Sequence, residues 1–486
     1  MINITDPFPL CGNVSINTED IMKDKAIHLK ALEAIVSKEN IFSDPIDCFG
    51  YSYDASPEEL NPAEAPDFVC KVHNVHEVSA ILRYANEHLI PIVPRGAGSG
   101  RSGGIIPVQG GIVIAMDEMN HILELDEANM TVTVEPGVIV SDLYKFCAAK
   151  GLYYPPQPSS YTYSTIGGNI AENAGGIRAV KYGVTSDYIM GLEVVLANGD
   201  IIHTGGKLIK NVTGYNLTQL IVGSEGTLGI VTKAILKLVS LPTHSRTATA
   251  MFQTVEEACT AVGESLRQGV VPTAAELMDE LACEAGAAFT HFTLPEGVGA
   301  MLVFDVDARD EDTCTKELAV LEEACSRCGC IRFTAASDQA EADQLWSMRR
   351  KLGQAVGALA PNRFNEDITV PRSMLPVIAK KLKEIADKYG FRITIYGHAG
   401  DGNLHPSFLG DLREPGAPER MKKAVTEEFQ AAVDCGGMLS GEHGIGVSKQ
   451  PYIGMALSDE VINTSLLIKK ALDPNNILNP GKIFNR

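Results

Sequence analysis

Two short motifs near the end of this chain carry side chains able to do chemistry. The first is His398-Ala-Gly-Asp-Gly-Asn-Leu-His405. Its centre, Asp401-Gly402-Asn403, disfavours a regular helix and turns the chain tightly. Two imidazoles that flank such a turn can converge on one ion. The second motif is Ser440-Gly-Glu-His-Gly-Ile-Gly446. Glu442 and His443 are adjacent, so in extended backbone their side chains point to opposite sides. One can then ligate while the other stays free for acid–base work. His398, His405 and Glu442, with a position left open, suit a zinc-like or manganese-like ion. The competing reading makes each histidine a hydrogen-bonded core residue without a ligand. The glycines around both motifs weigh against it.

An anion site is suggested earlier in the chain. Ile90-Pro-Ile-Val-Pro94 reads as a short buried strand, and it runs into Pro94-Arg-Gly-Ala-Gly-Ser-Gly-Arg-Ser-Gly-Gly104, where five of eleven residues are glycine. With no Cβ in the way, backbone N–H groups can close on an anion. No Lys-Ser or Lys-Thr follows at the P-loop position, which argues against a nucleoside triphosphate. Gly98 to Gly103 spells G-x-G-x-x-G, but the residues after it do not open a helix as the dinucleotide fingerprint requires. Taken alone, the loop reads equally as a phosphate cradle and as a structural turn. Two further stretches change the balance: Pro155-Pro-Gln-Pro-Ser-Ser160 leading to Ser164–Gly176, and Gly223-Ser-Glu-Gly-Thr-Leu-Gly-Ile230. Three such loops point to one extended ligand with a diphosphate and a ring system, rather than to three unrelated turns. The candidate contacts in the first loop are Pro94, Arg95, Gly96, Ala97, Gly98, Ser99, Gly100, Ser102 and Gly103. In the second they are Pro158, Ser159, Thr165, Gly167, Gly168, Asn169, Ala171, Gly175 and Gly176. In the third they are Glu225, Gly226, Gly229 and Ile230.

These pieces, with KYGVTSDYIMGLEVVLANGD and the terminal NPGKIF, occur in order from about residue 90 to the end. Together they resemble the FAD-linked oxidase and dehydrogenase superfamily of the vanillyl-alcohol-oxidase type. Within it, the chain is most similar to the glycolate oxidase FAD subunit and D-lactate dehydrogenase group. The resemblance implies an α+β fold: a two-subdomain FAD-binding domain of the PCMH type, an antiparallel-sheet cap domain and a helical C-terminal segment. It implies FAD, with Asn479 among its contacts, and one divalent metal (Zn, Mn or Fe) on His398, His405 and Glu442. It makes His443 the base and Arg349, after Trp346, the substrate arginine; a guanidinium can pair bidentately with a carboxylate. Some relatives tether the flavin through a histidine near the first loop. Here His73, His76 and His88 all precede that loop, so non-covalent FAD is expected.

The activity so implied is oxidation of a D-2-hydroxy acid by hydride transfer to FAD, D-lactate to pyruvate first, with the catalytic subunit of a glycolate oxidase as the alternative. Electrons then pass to an electron-transferring flavoprotein or an iron–sulfur subunit. Two readings from other classes stand beside it. A metal-dependent hydrolase conflicts with the three phosphate-suited loops. A non-catalytic flavin electron-transfer subunit conflicts with the intact His443 and metal set.

Composition bounds the partners. A formal charge of −20, from 61 acidic and 41 basic residues, disfavours nucleic acid and anionic membranes. It also requires a local cation for an anionic substrate. No apolar run is long enough for a transmembrane helix. Met1–Leu10 has no basic region before an apolar one, and the eleven scattered cysteines read as reduced thiols, so a cytoplasmic location is expected. Cys325, Cys328 and Cys330 form the one cluster, without an obvious fourth ligand.

The elements that must position the motifs divide the chain. Residues 1–45 read as an entry segment, with helical spacing of Ile27, Leu32, Ile35 and Val36. Residues 46–240 alternate short strands and turns, including an Asn198-Gly199 hairpin. In residues 241–430, long helices (Glu256–Gln268, Glu311–Arg327, Asp338–Leu359) alternate with strands such as Met301–Val306 and Arg392–Tyr396. An antiparallel sheet with helices on one face is expected there. Residues 431–486 are expected to be helical and, by the resemblance, to return to the flavin domain.

Overall fold

The computed structural model describes residues 25–56 and 65–484. The Met1–Leu10 segment, on which the leader expectation rests, lies outside them. Helix Lys25–Val36 buries His28, Leu32 and Val36. Their i, i+4, i+8 spacing sets the inward stripe one residue away from Ile27, which is exposed.

A four-stranded sheet follows. Phe68–Lys71, Ile112–Ala115 and Ile92–Arg95 run parallel, with Ile41–Phe42 antiparallel at one edge. Helix Val75–His88 crosses over between Phe68–Lys71 and Ile92–Arg95. Asn74 caps its first turn by accepting from His76 and Glu77 N–H, and Leu89 ends it at φ 56°. The strands are apolar along their length because both faces are covered. Strand Ile92–Arg95 delivers the first glycine loop, which turns into Ile112–Ala115 without opening a helix.

A five-stranded antiparallel sheet carries Ile122–Asp126, Thr131–Val134, Ile230–Lys237, Ile189–Val195 and Ile201–Gly205 in that order. Asn198-Gly199 makes the expected hairpin: Val195 pairs with Ile201, and Gly199 sits at φ 80°. The second loop forms a short helix, Ile166–Glu172, with Thr165 Oγ1 accepting from Gly168 N–H at 3.3 Å.

A seven-stranded sheet orders Arg332–Ala335, His244–Phe252, Ala300–Ala308, Ala274–Asp279, Tyr396–His398, Asn403–Leu404 and Ile368–Thr369. It is antiparallel, but helices cover both faces. Ala250, Phe252, Leu302 and Phe304 pack under helices Val255–Arg267, Glu311–Arg327 and Leu375–Tyr389. Met251, Met278, Met301 and Val303 pack against Glu280–Thr290 and the helices on either side of Lys351. The alternation of apolar residues to both sides makes burial two-sided, against the one-faced expectation. The expected helix Asp338–Leu359 is two helices, Gln339–Arg350 and Leu352–Gly357, meeting at Lys351. The expected strand Arg392–Tyr396 also divides. Arg392–Thr394 joins a separate three-stranded sheet, while Tyr396–His398 enters the large one.

The C-terminal segment comes back to the first sheet. After helix Asp459–Leu472, Ile92 N–H donates to Ile477 O, and Asn479 N–H donates to Ile92 O, both at 2.7 Å. No helix among the described residues is long and apolar enough to cross a membrane.

Candidate active site

The three glycine loops wall one open cleft of about 1400 Å³. Lining it are Pro94, Arg95, Gly96, Ala97, Gly98, Ser99 and Gly100 from the first loop. Pro158, Ser159, Thr165, Gly167, Gly168, Asn169, Ala171 and Gly175 come from the second, Glu225, Gly226, Gly229 and Ile230 from the third, and Asn479 from the C-terminal segment. Ser102, Gly103 and Gly176 stand behind the wall. Ser102 O accepts from Val447 and Ser448 N–H, Gly103 N–H donates to Asp54, and Gly176 packs on Gln157.

The cleft suits an extended anionic ligand. The N–H groups of Ala97 to Arg101 have no acceptor among the described residues. A Cβ on Gly96 would meet Thr165 Oγ1 at 2.4 Å, and one on Gly226 would meet Pro94 at 2.5 Å. Buried polar atoms on the walls, Asn169 Nδ2 and Glu172 Oε2, also lack partners. Burial, with Glu225 beside it, holds Glu172 well above the usual carboxyl range. Arg95 does not extend freely into the cleft; its guanidinium donates to Tyr53 O at 2.8 Å.

The two late motifs meet at the end of this cleft, which Glu442 and His443 also line. Strand Tyr396–His398 brings in His398, and the turn at Asp401-Gly402 returns His405 beside it. Gly402 has φ 92°, and a Cβ there would strike Val370 O at 2.2 Å. Glu442 Oε1 lies 3.3 Å from His398 Nε2, 3.4 Å from His405 Nε2 and 4.0 Å from His443 Nε2. The His405 and His443 rings stack at 5.1 Å.

Two carboxylates that sequence reasoning missed organise this cluster. Asp367 is fully buried, and its Oδ2 accepts from Ser440 Oγ at 2.6 Å and from the N–H groups of Gly441, Glu442 and His443 at 2.9–3.1 Å. Its Oδ1 accepts from Asn403 Nδ2 at 2.7 Å and lies 3.7 Å from His405 Nδ1. One side chain thus ties the two motifs together. Lys449, absent from the sequence reading, stands 3.6 Å from Asp367 Oδ2 and donates to Asp367 O and Leu439 O. Glu276, in strand Ala274–Asp279, accepts from His398 Nδ1 at 2.7 Å and pairs with Arg349 Nη2 at 2.6 Å. Its signal in the sequence was a lone carboxylate inside the apolar run Ala274–Met278. Asp367 and Lys449 had no comparable signal, because their partners are distant in the chain.

Charge follows from these contacts. Burial opposes ionisation of Glu442, but His398 and His405 outweigh it and hold its carboxyl well below the usual range. Asp367 is likewise held low against its burial by His443, Lys449 and His405. Burial pushes His443 down to about 3, so its ring is neutral at pH 7. The oxygen and nitrogen atoms of His398, His405 and Glu442 lie within 4.8 Å of one another, as do those of Asp367, His405 and His443. The first set fits a divalent ion better, because the N–H groups already occupy Asp367. Three ionised carboxylates face Arg349, Lys449 and His398, which Glu276 and Glu442 hold well above its usual range against its burial, so the cluster offers an anionic substrate no surplus positive charge until a divalent cation joins it. Cys325 is buried and Cys328 and Cys330 are half-buried; burial raises all three thiols.

Catalytic and cofactor loops are stitched together. Glu225 does not keep its carboxylate for a cofactor; its oxygens accept from Ile445 and Gly446 N–H at 2.7 and 2.8 Å. Asn479 Nδ2 donates to Gly104 O and Glu225 O. The 440–446 segment and the cleft wall are therefore tied together by hydrogen bonds.

Comparison with known proteins agrees with this layout. The FAD binding domain model matches residues 66–205, and the model of the C-terminal domain of FAD linked oxidases matches residues 241–483. The chain is 45% identical over 434 residues to the glycolate oxidase subunit GlcD of Bacillus subtilis, covering 89% of this chain and 92% of the relative. It is 37% identical over 443 residues to a D-lactate dehydrogenase of Archaeoglobus fulgidus, covering 90% and 96%. In fold it is similar to p-cresol methylhydroxylase, with a TM-score of 0.78 at 19% identity, covering 95% of this chain and 97% of the other. A purified sample is expected to be yellow and to release FAD on acid denaturation. Flavin remaining on the precipitated chain would show a covalent link. By its sequence relatives and its two matched domains, the chain belongs to the FAD-linked oxidase family, as an FAD-binding oxidoreductase.

Proposed function

We propose that the protein is an FAD-dependent dehydrogenase of short D-2-hydroxy acids, with non-covalent FAD and one divalent metal on His398, His405 and Glu442. The observation that carries this is placement: Glu442 and His443 line the cleft of the flavin loops while Glu442 also faces both histidines. When bound, FAD accepts hydride and a divalent ion polarises substrate oxygens.

This chain's residues do the rest. Arg349 pairs with the substrate carboxylate and sets the carbinol carbon against the cleft. His443 takes the hydroxyl proton, its neutral ring being available at neutral pH. Asp367 holds the Gly441–His443 backbone so that the base does not drift.

Lys449 is committed to Asp367 O and Leu439 O, so Arg349, already paired with Glu276 at 2.6 Å, is the cation of this cluster that a substrate carboxylate would share. That favours a monocarboxylate over hydroxyglutarate. D-lactate is the first substrate of this reading. The 45% identity to a glycolate oxidase subunit supports glycolate as the second. Turnover with an artificial dye acceptor on D-lactate, L-lactate, glycolate and D-2-hydroxyglutarate tests it, with D-lactate or glycolate expected to give the highest kcat/KM. A preference for L-lactate or for the dicarboxylate would refute it.

Electrons leave to a partner protein, an electron-transferring flavoprotein or an iron–sulfur subunit. The two ligand groups found among the described residues contain no cysteine. In stopped flow, substrate-reduced enzyme is expected to reoxidise in air far more slowly than it turns over with dye. Reoxidation at the turnover rate would make it an oxidase.

A further inference from the structure

Glu276 is an unusual residue for its place. It sits mid-strand in Ala274–Asp279, fully buried, among apolar neighbours on the strand. An isolated buried carboxylate is costly, and it persists where partners satisfy it. Its partners here are two groups with different tasks. Oε1 accepts from His398 Nδ1 at 2.7 Å, and Oε2 pairs with Arg349 Nη2 at 2.6 Å.

We infer that Glu276 is a positioning residue that couples the metal ligand His398 to the substrate-binding Arg349. The inference rests on the function proposed above. Register makes the coupling possible. Glu276 is paired with His398 across the strands Ala274–Asp279 and Tyr396–His398. Arg349 arrives from the last turn of helix Gln339–Arg350, its guanidinium 5.4 Å from the Tyr396 ring. One carboxylate therefore keeps a proton on His398 Nδ1, which leaves Nε2, 3.3 Å from Glu442, as the nitrogen to face an ion. The same carboxylate holds Arg349 in place. A carboxylate that fixes a ligating histidine in this way strengthens the ligand. When a substrate carboxylate draws on Arg349, Glu276 turns more of its charge to His398. Substrate binding and metal binding then reinforce each other through a single side chain.

The test reads metal affinity, not turnover. Dissociation constants for Zn²⁺ and Mn²⁺ are measured by chelator competition on the FAD-loaded full chain. The panel is wild type, Glu276→Gln, Arg349→Met and the double variant. Glu276→Gln is expected to weaken metal binding by roughly 10- to 100-fold while FAD content stays unchanged. Arg349→Met, which removes no ligand, is expected to tighten metal binding in the wild-type background and to have no effect when Gln stands at position 276. Should Glu276→Gln fail to fold, Arg349→Met alone decides: unchanged metal affinity overturns the coupling. Equal effects of Arg349→Met in both backgrounds, or wild-type metal affinity in Glu276→Gln, overturn it too. Wild-type protein that takes up neither metal overturns the proposed metal site itself, which is a separate and distinguishable failure.

Discussion

Replacing His443 with Asn is expected to slow substrate oxidation by roughly 10²- to 10⁴-fold, the range for loss of a general base. The substitution removes the proton acceptor but leaves the backbone N–H that Asp367 holds at 2.9 Å. The loop therefore keeps its shape, and Glu442 stays facing His398 and His405. Bound metal and FAD are expected at wild-type levels, and reduction of the flavin by substrate, followed in stopped flow, is the step that slows. A rate within a few-fold of wild type would assign the proton to another group. Simultaneous loss of metal would mean that the stacked His405–His443 pair serves mainly to build the ion site.

His405→Ala is expected to remove most bound divalent metal and to lower turnover by several kcal/mol of barrier, on the order of 10³-fold or more. His405 Nε2 lies 3.4 Å from Glu442, and its Nδ1 lies 3.7 Å from Asp367, so the truncation also leaves a gap between the two carboxylates. FAD is expected to remain, because neither His398 nor His405 lines the flavin cleft. Metal content by elemental analysis, beside the flavin absorbance of the same sample, separates the two effects. Loss of both together would give the histidine a structural role instead. His398→Ala is expected to behave alike, with the further consequence that Glu276 keeps only Arg349.

The readable parts of this protein were its local signals. Asn198-Gly199 needs a positive φ at the glycine, and the hairpin followed. The expected bounds of the helix Glu311–Arg327 are those observed. The glycine loops were legible as loops, and the fold brings all three to one cleft. The misjudged elements were those whose fate depends on distant chain. Nothing in Arg392–Tyr396 announces that its halves join different sheets: Arg392–Thr394 pairs with the nearby strand Ser407–Gly410, whereas the register of Tyr396–His398 is set by a strand more than a hundred residues away, with Glu276 opposite His398. The two-sided burial of the large sheet was hidden for a similar reason. Alanine and methionine positions read as neutral until the helices that cover them are in place.

The same division runs through the site. By itself the sequence determined the candidate set: two histidines around a tight turn, a glutamate next to a histidine, and three glycine-rich loops, each a matter of residue type and short spacing. Tertiary structure alone decided how they are held. Asp367 gathers the backbone of 440–443 and Asn403, Glu276 joins His398 to Arg349, and Glu225 fastens the third loop to Ile445 and Gly446. The physical reason is that a buried carboxylate is tolerable only where donors converge on it. Those donors come from segments far apart in the chain, so no local pattern can reveal them.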